Sequence, residues 1–290
     1  MQYDVLVVGG GAAGLSAAIY TARKGLKTAI ASVDTGGQLN LTGHIENYPG
    51  IDAISGPELA SNMSVQATKF GAEMLAGKVV RVSKAGSGFA AELSNGEKIE
   101  ARAVVLAFGQ IAKMMGVPGE EKFLGRGLGT CVTCDGPLYR GKTVAVVGGG
   151  TPAVEGAIEL AAYAKKVYSI NERPAYSADA KLVEKMKALP NVEIAAGAKP
   201  LEVKGDKVVS AITVMANGSA KDILVNGVFV ELGHVVDTSA VKGLVELNEA
   251  NEVVIDANAN TTTPGVFAAG DCTTTKFKQA VISAGEGAKA

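Results

Sequence analysis

The sequence predicts an α/β protein in which one strand–turn–helix–strand unit occurs twice. The first copy opens the chain as YDVLVVGGGAAGLSAAIYTARKGLKTAIAS, and the second runs from TVAVVGGG through TPAVEGAIELAAYAKK to VYSI. In each copy a short apolar run, typical of a buried strand, leads into glycines and then into an alanine-rich helix. A repeated supersecondary unit in a chain of 290 residues predicts two domains of one general fold.

The segments around the two copies have their own patterns. A loop rich in Gly, Asn and Thr, DTGGQLNLTGHIENYPGI, keeps apolar residues interleaved, so we interpret it as a binding loop rather than a linker. A helix follows near GPELASNMSVQATKFG, then short strands at KVVRVS, FAAELS and EKIEA, and then the strand AVVLAFG. A second set of short strands extends from VEIAAG to NGVFVELG. The final segment, from GVFAAGD onward, predicts a strand, a turn and a last helix.

Composition and charge limit the classes of partner. Hydrophobic residues make up 47% of the chain, charged residues 20%, and the formal net charge is -1 with no long run of either sign. We therefore expect neither a nucleic acid nor a membrane surface as partner. The first residues lack a basic head, and glycines interrupt their apolar run, which argues against a signal peptide or a spanning helix. We expect a cytoplasmic protein.

Each repeated unit carries a glycine fingerprint. The first is GxGxxG on Gly9, Gly11 and Gly14; the second is GxGxxA on Gly148, Gly150 and Ala153. Such a pattern is weak evidence alone, but here each one follows a strand and opens a helix, where backbone N–H groups favour a pyrophosphate. Two dinucleotides are therefore predicted. The alternative is that the glycines only allow close strand–helix packing.

The three cysteines, Cys131, Cys134 and Cys272, are too few for the disulfide framework of a secreted scaffold. Two of them form the motif CVTCDGP. A structural zinc site usually takes four Cys or His ligands, and His44 and His234 do not form a second pair, so we expect no metal. The motif is then either a reactive dithiol or a turn with two small apolar side chains.

Taken together, these motifs resemble the low-molecular-weight thioredoxin reductases and, more closely, the pyridine-nucleotide-disulfide module of the alkyl hydroperoxide reductase flavoprotein subunit. The motifs that carry the resemblance span essentially the whole chain in order: GGGAAG, GGQL, IENYPG, CVTCDGPLYRGK, VAVVGGGTPAVE and GVFAAGDCTTTKFKQAVISAGEGAKA. The resemblance implies two Rossmann-like domains of three-layer ββα type, the second inserted in the first. Residues 1–113 and 242–290 would bind FAD, and residues 114–241 would bind NAD and carry the dithiol. It also implies a homodimer.

The resemblance assigns cofactor contacts by position. The glycines of the first fingerprint would cradle the FAD pyrophosphate, and Gln38 and Asn47 would lie along the flavin. Asp271 would reach the ribityl and phosphate region or cap a helix instead. The ribose-binding acid expected at the end of the second strand is not obvious from the residues, and Asp34, the nearest carboxylate, is assigned this role. The residues expected at FAD are Gly9, Gly11, Ala13, Gly14, Asp34, Gly37, Gln38, Asn47, Gly109, Gly270, Asp271, Gln279 and Ala280. Those expected at the nicotinamide nucleotide are Gly148, Gly150, Ala153, Glu172 and Arg173.

The resemblance makes the dithiol the second redox centre. Cys134 would face the flavin, Cys131 would attack the disulfide of a protein substrate, and Asp135 would move the proton. The substrate would be a thioredoxin or a glutaredoxin-like protein. We expect it to be a separate chain, because the first strand begins at Tyr3 and leaves no room for fused thioredoxin-like domains. A rotation between the domains would let nucleotide and dithiol reach the flavin in turn.

One departure from the family concerns the nucleotide. NADPH-using members carry HRRxxxR after the second glycine motif, whereas this chain has NERPAYS from Asn171 to Ser177. Glu172 would repel a 2'-phosphate and bind a free 2'-hydroxyl, which predicts NADH in preference to NADPH; alternatively, it is only an exposed charge at a strand end. Two other functions stay open: dithiol chemistry fed by ferredoxin or another non-nicotinamide donor, and a flavin-binding redox sensor without turnover.

Overall fold

The computed structural model describes residues 2–290 and divides into two compact units. Unit 1 contains the chain up to Asn40, then Glu46–Ile111 and Val235–Ala290. Unit 2 contains Leu41–Ile45 and Ala112–His234.

The ends of the inserted unit lie near the predicted domain boundaries, which were placed after residues 113 and 241. The segment from Val235 to Val241 lies with unit 1, because Ala240 and Val241 are buried in its core beside Val82 of a neighbouring strand. The assignment of Leu41–Ile45 to unit 2 has no signal in the sequence.

The secondary structure alternates between strands and helices in both units. The strands are β1 (Tyr3–Val8), β2 (Thr28–Ser32), β3 (Glu73–Ala76), β4 (Val79–Ala85), β5 (Gly88–Leu93), β6 (Lys98–Leu106), β7 (Ile111–Ala112), β8 (Leu128–Gly129), β9 (Thr143–Val147), β10 (Lys166–Asn171), β11 (Val192–Ala196), β12 (Lys199–Gly205), β13 (Val209–Ala216), β14 (Ser219–Leu224), β15 (Gly227–Val230), β16 (His234–Val235) and β17 (Val266–Ala268). The α-helices are α1 (Ala12–Arg23), α2 (Gly56–Lys69), α3 (Glu120–Phe123), α4 (Val132–Asp135), α5 (Thr151–Ala161), α6 (Ala180–Lys187) and α7 (Ala280–Lys289). In the described part of the chain, 3-10 helices span Gly37–Leu41, Gly136–Tyr139 and Ser239–Val241.

Unit 1 is built on a seven-stranded sheet in the order β3-β2-β1-β6-β5-β4, with β17 also on β6. The strands β1, β2, β3 and β17 are parallel to their neighbours, whereas β4, β5 and β6 form an antiparallel meander. The patterns EKIEA and AVVLAFG, which predicted two strands, form the single strand β6. Its first half pairs with β5 and its second half with β17, so one continuous strand serves both neighbours.

Unit 2 is built on a five-stranded parallel sheet in the order β11-β10-β9-β15-β8, with a separate three-stranded antiparallel sheet, β12-β13-β14. Ala145 is fully buried on one face of β9, and Val144 and Val146 are fully buried on the other, as expected for a central strand covered on both faces. The two valines pack with Val154 and Leu160 of α5 in one cluster. Both units therefore repeat the predicted strand–glycine turn–helix arrangement.

Helix boundaries follow ordinary capping chemistry. Helix α2 begins after Ser55, whose hydroxyl accepts the N–H of Glu58 at 3.3 Å, and Pro57 occupies its first turn. Helix α6 begins after Asp179, whose carboxylate accepts the N–H of Lys181 at 2.9 Å. Within residues 2–290, no helix combines the length and the apolar character that a membrane-spanning segment needs.

Candidate functional site

The first glycine turn connects β1 to α1 in unit 1. Gly9 has a φ of +111°, and a Cβ built on it would overlap the carbonyl oxygen of Ala107, so this turn requires glycine. A Cβ on Gly14 would overlap the carbonyl oxygen of Gly9, which shows how closely α1 packs on the turn. For a Cβ built on Gly11, by contrast, the nearest atom would be the carbonyl oxygen of Gly36, at 3.8 Å. The space in front of the helix is therefore open.

The start of α1 fits an anion. Its N-cap is Gly11, no side chain caps it, and its first turn contains no acidic residue. The first N–H groups of a helix have no partner within the helix, and the helix dipole places positive charge there. The open space, the uncapped N–H groups and the lack of carboxylates together fit the pyrophosphate of a dinucleotide.

The end of β2 adds a second loop to this turn. The hydroxyl of Ser32 accepts the N–H of Gly10 at 3.0 Å, and the N–H of Gly36 donates to the carbonyl oxygen of Gly10 at 2.8 Å. The exposed Asp34 accepts the N–H of Gly37 at 2.8 Å. The predicted Asp34 and Gly37 thus lie at the glycine turn. Ser32, the last residue of β2, was not predicted.

Hydrogen bonds bring the other predicted FAD residues of unit 1 together. The amide of Gln38 donates to the carbonyl oxygen of Gln110 at 3.0 Å, next to Gly109, and to the carboxylate of Asp271 at 3.4 Å. The amide of Asn47 donates to the side-chain oxygen of Gln279 at 3.1 Å. Asp271 also accepts the hydroxyl of Ser283, in the first turns of α7, at 3.0 Å, so the two pairs meet at the start of this helix and form one constellation. Helix α7 begins at Ala280 with Gln279 at its N-cap, so Asp271 does not cap this helix.

A buried carboxylate that was not predicted organises the turn at Gly270. Glu286 of α7 accepts the N–H of Gly270 at 2.8 Å and the hydroxyl of Thr275. Gly270 has a φ of +79°, and a Cβ on it would lie 2.8 Å from the Cβ of Ala13. Only 9% of Glu286 is exposed. The signal for it in the sequence is a lone acidic residue among small residues, SAGEGAK.

The second glycine turn, between β9 and α5 in unit 2, repeats these features. Gly148 has a φ of +152°, and a Cβ on it would overlap the carbonyl oxygen of Glu231. The N-cap of helix α5 is Gly150, no side chain caps the helix, and its first turn contains no acidic residue. The nearest atom to a Cβ on Gly150 would be the Cδ of Pro152, at 3.7 Å, and Ala153 is fully buried. This turn also fits a dinucleotide pyrophosphate.

The loop after β10 folds over the second glycine turn. The N–H of Ser177 donates to the carbonyl oxygen of Gly149 at 2.7 Å, and the N–H of Arg173 donates to the side chain of Asn171 at 3.1 Å. Glu172 forms an ion pair with Lys199 at 3.5 Å, with both side chains 63% exposed. The predicted nucleotide residues thus lie together. Lys199, from the start of β12, was not predicted to join them.

The dithiol lies at the short helix α4 of unit 2. Cys131 and Cys134 form a disulfide with their Cα atoms 5.3 Å apart. Cys131 is the N-cap of α4, and its sulfur accepts the N–H of Cys134 at 3.2 Å. Cys272 is fully buried in unit 1, and burial raises the pKa of its thiol to about 12. Residues 2–290 hold no cluster of three or more Cys, His, Asp or Glu side chains arranged for a metal ion.

Asp135 follows the second cysteine directly and is partly buried. Burial raises the pKa of its carboxyl to about 6, and the charge of His44 acts in the opposite direction. Gly129 makes room for it, since a Cβ there would lie 3.0 Å from the Asp135 carboxylate. A group with a pKa near neutrality can both donate and accept a proton. Neither the contribution of His44 to this carboxyl nor the role of Gly129 was predicted.

A family model described as pyridine nucleotide-disulphide oxidoreductase matches residues 3–287. The chain belongs to this family. It is 41% identical over 291 residues to the F component of alkyl hydroperoxide reductase in Staphylococcus epidermidis and 39% identical over 290 residues to a protein named NADH dehydrogenase in Bacillus subtilis. Each alignment covers 99% of this chain and 57% of the relative. The chain thus spans a little over half the length of these curated relatives.

Solved structures of this family share the fold. The thioredoxin reductase of Streptococcus pyogenes is 36% identical to this chain and superposes with a TM-score of 0.95, covering 99% of this chain and 95% of that one. The predicted α/β fold with two dinucleotide-binding domains is confirmed, as is the resemblance to the thioredoxin reductases and the alkyl hydroperoxide reductase flavoprotein.

Proposed function

We propose that this pyridine nucleotide-disulphide oxidoreductase is an FAD-dependent reductase that passes electrons from NADH through Cys131 and Cys134 to the disulfide of a thioredoxin-like protein. The observation that carries the proposal is the disulfide at the start of α4, directly followed by a carboxyl with a pKa of about 6. The same chain contains two glycine turns that fit a dinucleotide pyrophosphate.

The FAD would be held by unit 1. The uncapped start of α1 would bind its pyrophosphate, and the constellation of Gln38, Asn47, Asp271 and Gln279 would surround the rest of it. When bound, FAD supplies the exchange of two electrons between a nicotinamide and a disulfide. The chain's own contribution is to bind and orient the cofactor through these donors and through the turn that Glu286 holds.

The nicotinamide nucleotide would be held at the second glycine turn, and we propose NADH over NADPH. Glu172 lies in the loop that folds over this turn, and its carboxylate would repel a 2'-phosphate but accept a hydrogen bond from a 2'-hydroxyl. Ser177 offers no positive charge to such a phosphate. The name of the Bacillus subtilis relative, NADH dehydrogenase, points in the same direction.

The dithiol would carry out an exchange in which electrons and protons balance. The Cys131 thiolate attacks one sulfur of the partner's disulfide, and the other sulfur leaves as a thiolate that takes a proton, for which Asp135 is the donor. Cys134 then gives its thiol proton back to Asp135, and its sulfur attacks the sulfur of Cys131. This reforms the Cys131–Cys134 disulfide and releases the second sulfur of the partner as a thiolate. Cys134 is also the sulfur we assign to the flavin.

The partner is proposed by chemistry and by relationship. A disulfide exposed enough to meet Cys131 is a property of thioredoxin and of glutaredoxin-like proteins, and solved relatives of this chain are named thioredoxin reductases. A cytoplasmic homodimer without nucleic acid or membrane partners remains our proposal, based on composition and on the family resemblance.

Consumption of NADH by the FAD-loaded protein in the presence of oxidised thioredoxin tests the proposal. We expect turnover that requires both thioredoxin and the cysteine pair. Flavin reduction by NADH without turnover of any protein disulfide would indicate a redox sensor instead. If ferredoxin reduces the flavin and NADH does not, the electron donor is a protein and not a nicotinamide nucleotide.

A further inference from the structure

A second carboxylate lies against the helix that carries the cysteine pair. Glu231 follows β15, and its N–H donates to the carbonyl oxygen of Val147 at 2.8 Å. Its own carbonyl oxygen is the atom that a Cβ on Gly148 would overlap. The backbone of Glu231 is therefore fixed beside the second glycine turn.

The side chain of Glu231 reaches from there to the dithiol helix. Its carboxylate accepts the N–H of Val132 at 3.3 Å, and Val132 is the buried residue that follows Cys131. Gly156 of α5 leaves the room for this contact, since a Cβ on it would lie 2.9 Å from Val132 and 3.9 Å from Glu231. Gly156, Val132 and the side chain of Glu231 thus pack against one another next to Cys131.

The groups that act on the Glu231 carboxylate come from two elements. On α5, Glu159 accepts the hydroxyl of Thr133 at 3.1 Å and adds its negative charge to the site. On α4, the N–H of Val132 favours the charged carboxylate. Burial is the largest effect, Glu159 acts with it, and together they raise the pKa of Glu231 to about 7. In the reduced pair, a thiolate at Cys131 or Cys134 would add further negative charge beside the Val132 N–H.

We propose that Glu231 is a positioning residue that holds the dithiol helix through the N–H of Val132 and whose charge opposes thiolate formation in the reduced pair. This inference rests on the part of the proposed function in which Cys131 and Cys134 cycle between disulfide and dithiol. Nothing in the sequence singled out Glu231, which follows the apolar run VFV in the pattern of a strand end.

The chemistry follows from charge balance. Two electrons break the S–S bond and leave two sulfurs, which together take up two protons if both become thiols or one proton if one remains a thiolate. A thiolate beside a carboxylate is disfavoured by repulsion, so one of the two groups keeps a proton. Removal of the Glu231 charge should therefore make the thiolate easier to form.

The test uses the full-length FAD-loaded protein and the Glu231→Gln variant, both reduced with dithiothreitol. The rate of alkylation of Cys131 and Cys134 by iodoacetamide, followed by peptide mass spectrometry across pH, gives the apparent pKa of each thiol. We expect Glu231→Gln to lower the apparent pKa of the more reactive thiol by about one unit, because a like charge is removed. The matched control is Glu155→Gln, an exposed glutamate on the same helix as Glu159, which should leave the profile unchanged.

A second variant keeps the test decisive if Glu231→Gln does not fold. Glu159→Gln removes the other negative charge and should shift the same profile in the same direction by a smaller amount. Superimposable alkylation profiles for wild type and the folded variants would overturn the proposal. Because dithiothreitol replaces NADH and no thioredoxin is present, a shifted profile in a protein that does not reduce thioredoxin would reject the proposed function and leave this inference standing.

Discussion

A Cβ on Gly287 would overlap the carbonyl oxygen of Ala13, so α7 approaches α1 at a separation that only glycine permits. Ala13 also lies where a Cβ on Gly270 would meet its side chain at 2.8 Å. One residue of the first glycine fingerprint is therefore in contact with two positions of the C-terminal segment. This packing joins the two ends of the sequence at the proposed FAD site.

The first prediction concerns this helix contact. Gly287→Ala should destabilise the protein by about 1–3 kcal/mol, since the added methyl group forces α7 away from α1. Gly285→Ala is the matched control in the same helix, because a Cβ there meets nothing within 4 Å. Alanine at that position should be neutral or stabilising by up to about 1 kcal/mol. Urea unfolding and FAD retention measure both; equal effects of the two changes would contradict the prediction.

The buried Glu286 provides the second prediction. Glu286→Ala leaves the buried N–H of Gly270 without its acceptor, which costs about 1–3 kcal/mol and should loosen the turn before Asp271. Glu286→Gln keeps an acceptor oxygen and should retain more of the stability. Comparison of unfolding free energies and FAD dissociation for the two variants checks this. An alanine variant that binds FAD as tightly as the wild type would show that the turn does not depend on Glu286.

Asp135 gives a prediction about the pH dependence of activity. With a pKa of about 6, its carboxyl changes charge near pH 6, and the turnover rate should show an inflection there. Asp135→Asn should remove this inflection and lower the rate by about 10²–10⁴-fold. Steady-state rates across pH with thioredoxin as acceptor measure it. An inflection that survives in the asparagine variant would belong to another group.

The substitution Asp135→Asn, which should lower activity, should raise stability. Because burial raises the pKa of the Asp135 carboxyl from 3.8 to about 6, the folded state favours the neutral acid, and the stability that this contributes below pH 3.8 is lost as pH rises to 6. Asp135→Asn should therefore be more stable than wild type above pH 6, by up to about 3 kcal/mol, and equal to it in acid. Urea unfolding at both ends of this range provides the measurement.

The nucleotide preference is tested at the loop after β10. Replacing both Glu172 and Ser177 by arginine should raise the ratio of kcat/KM for NADPH to that for NADH by at least about tenfold, because repulsion of a 2'-phosphate becomes attraction. Lys199→Gln is the control, since it removes the ion-pair partner of Glu172 and keeps the carboxylate. A wild-type protein that prefers NADPH would contradict the proposal directly.

Much of this site could be predicted because its signals are local. Glycines between a strand and a helix indicate a tight turn that has no room for a side chain. Gly9 and Gly148 both have a positive φ, and a Cβ on either would overlap a carbonyl oxygen. The position of Asp135 is likewise visible in the sequence, because this residue directly follows Cys134. Such features depend on neighbours within a few residues, so they can be recognised without knowing the fold.

The residues that were missed depend on contacts between distant segments. Glu286 meets Gly270, Glu231 meets Val132, and Lys199 meets Glu172 only after helices and strands have packed. A lone glutamate at the end of an apolar run has the same appearance in sequence whether it is solvated or buried. Only its packing decides whether it becomes a structural acceptor or a titrating group.

An anaerobic titration of the FAD-loaded protein with NADH tests the central claim most directly. The flavin and the Cys131–Cys134 disulfide each accept two electrons, so full reduction of the wild type should take about two equivalents of NADH. The variant with both cysteines changed to serine should take about one. Addition of oxidised thioredoxin should then reoxidise the wild type alone. A wild type that takes one equivalent, or that thioredoxin does not reoxidise, would contradict the account.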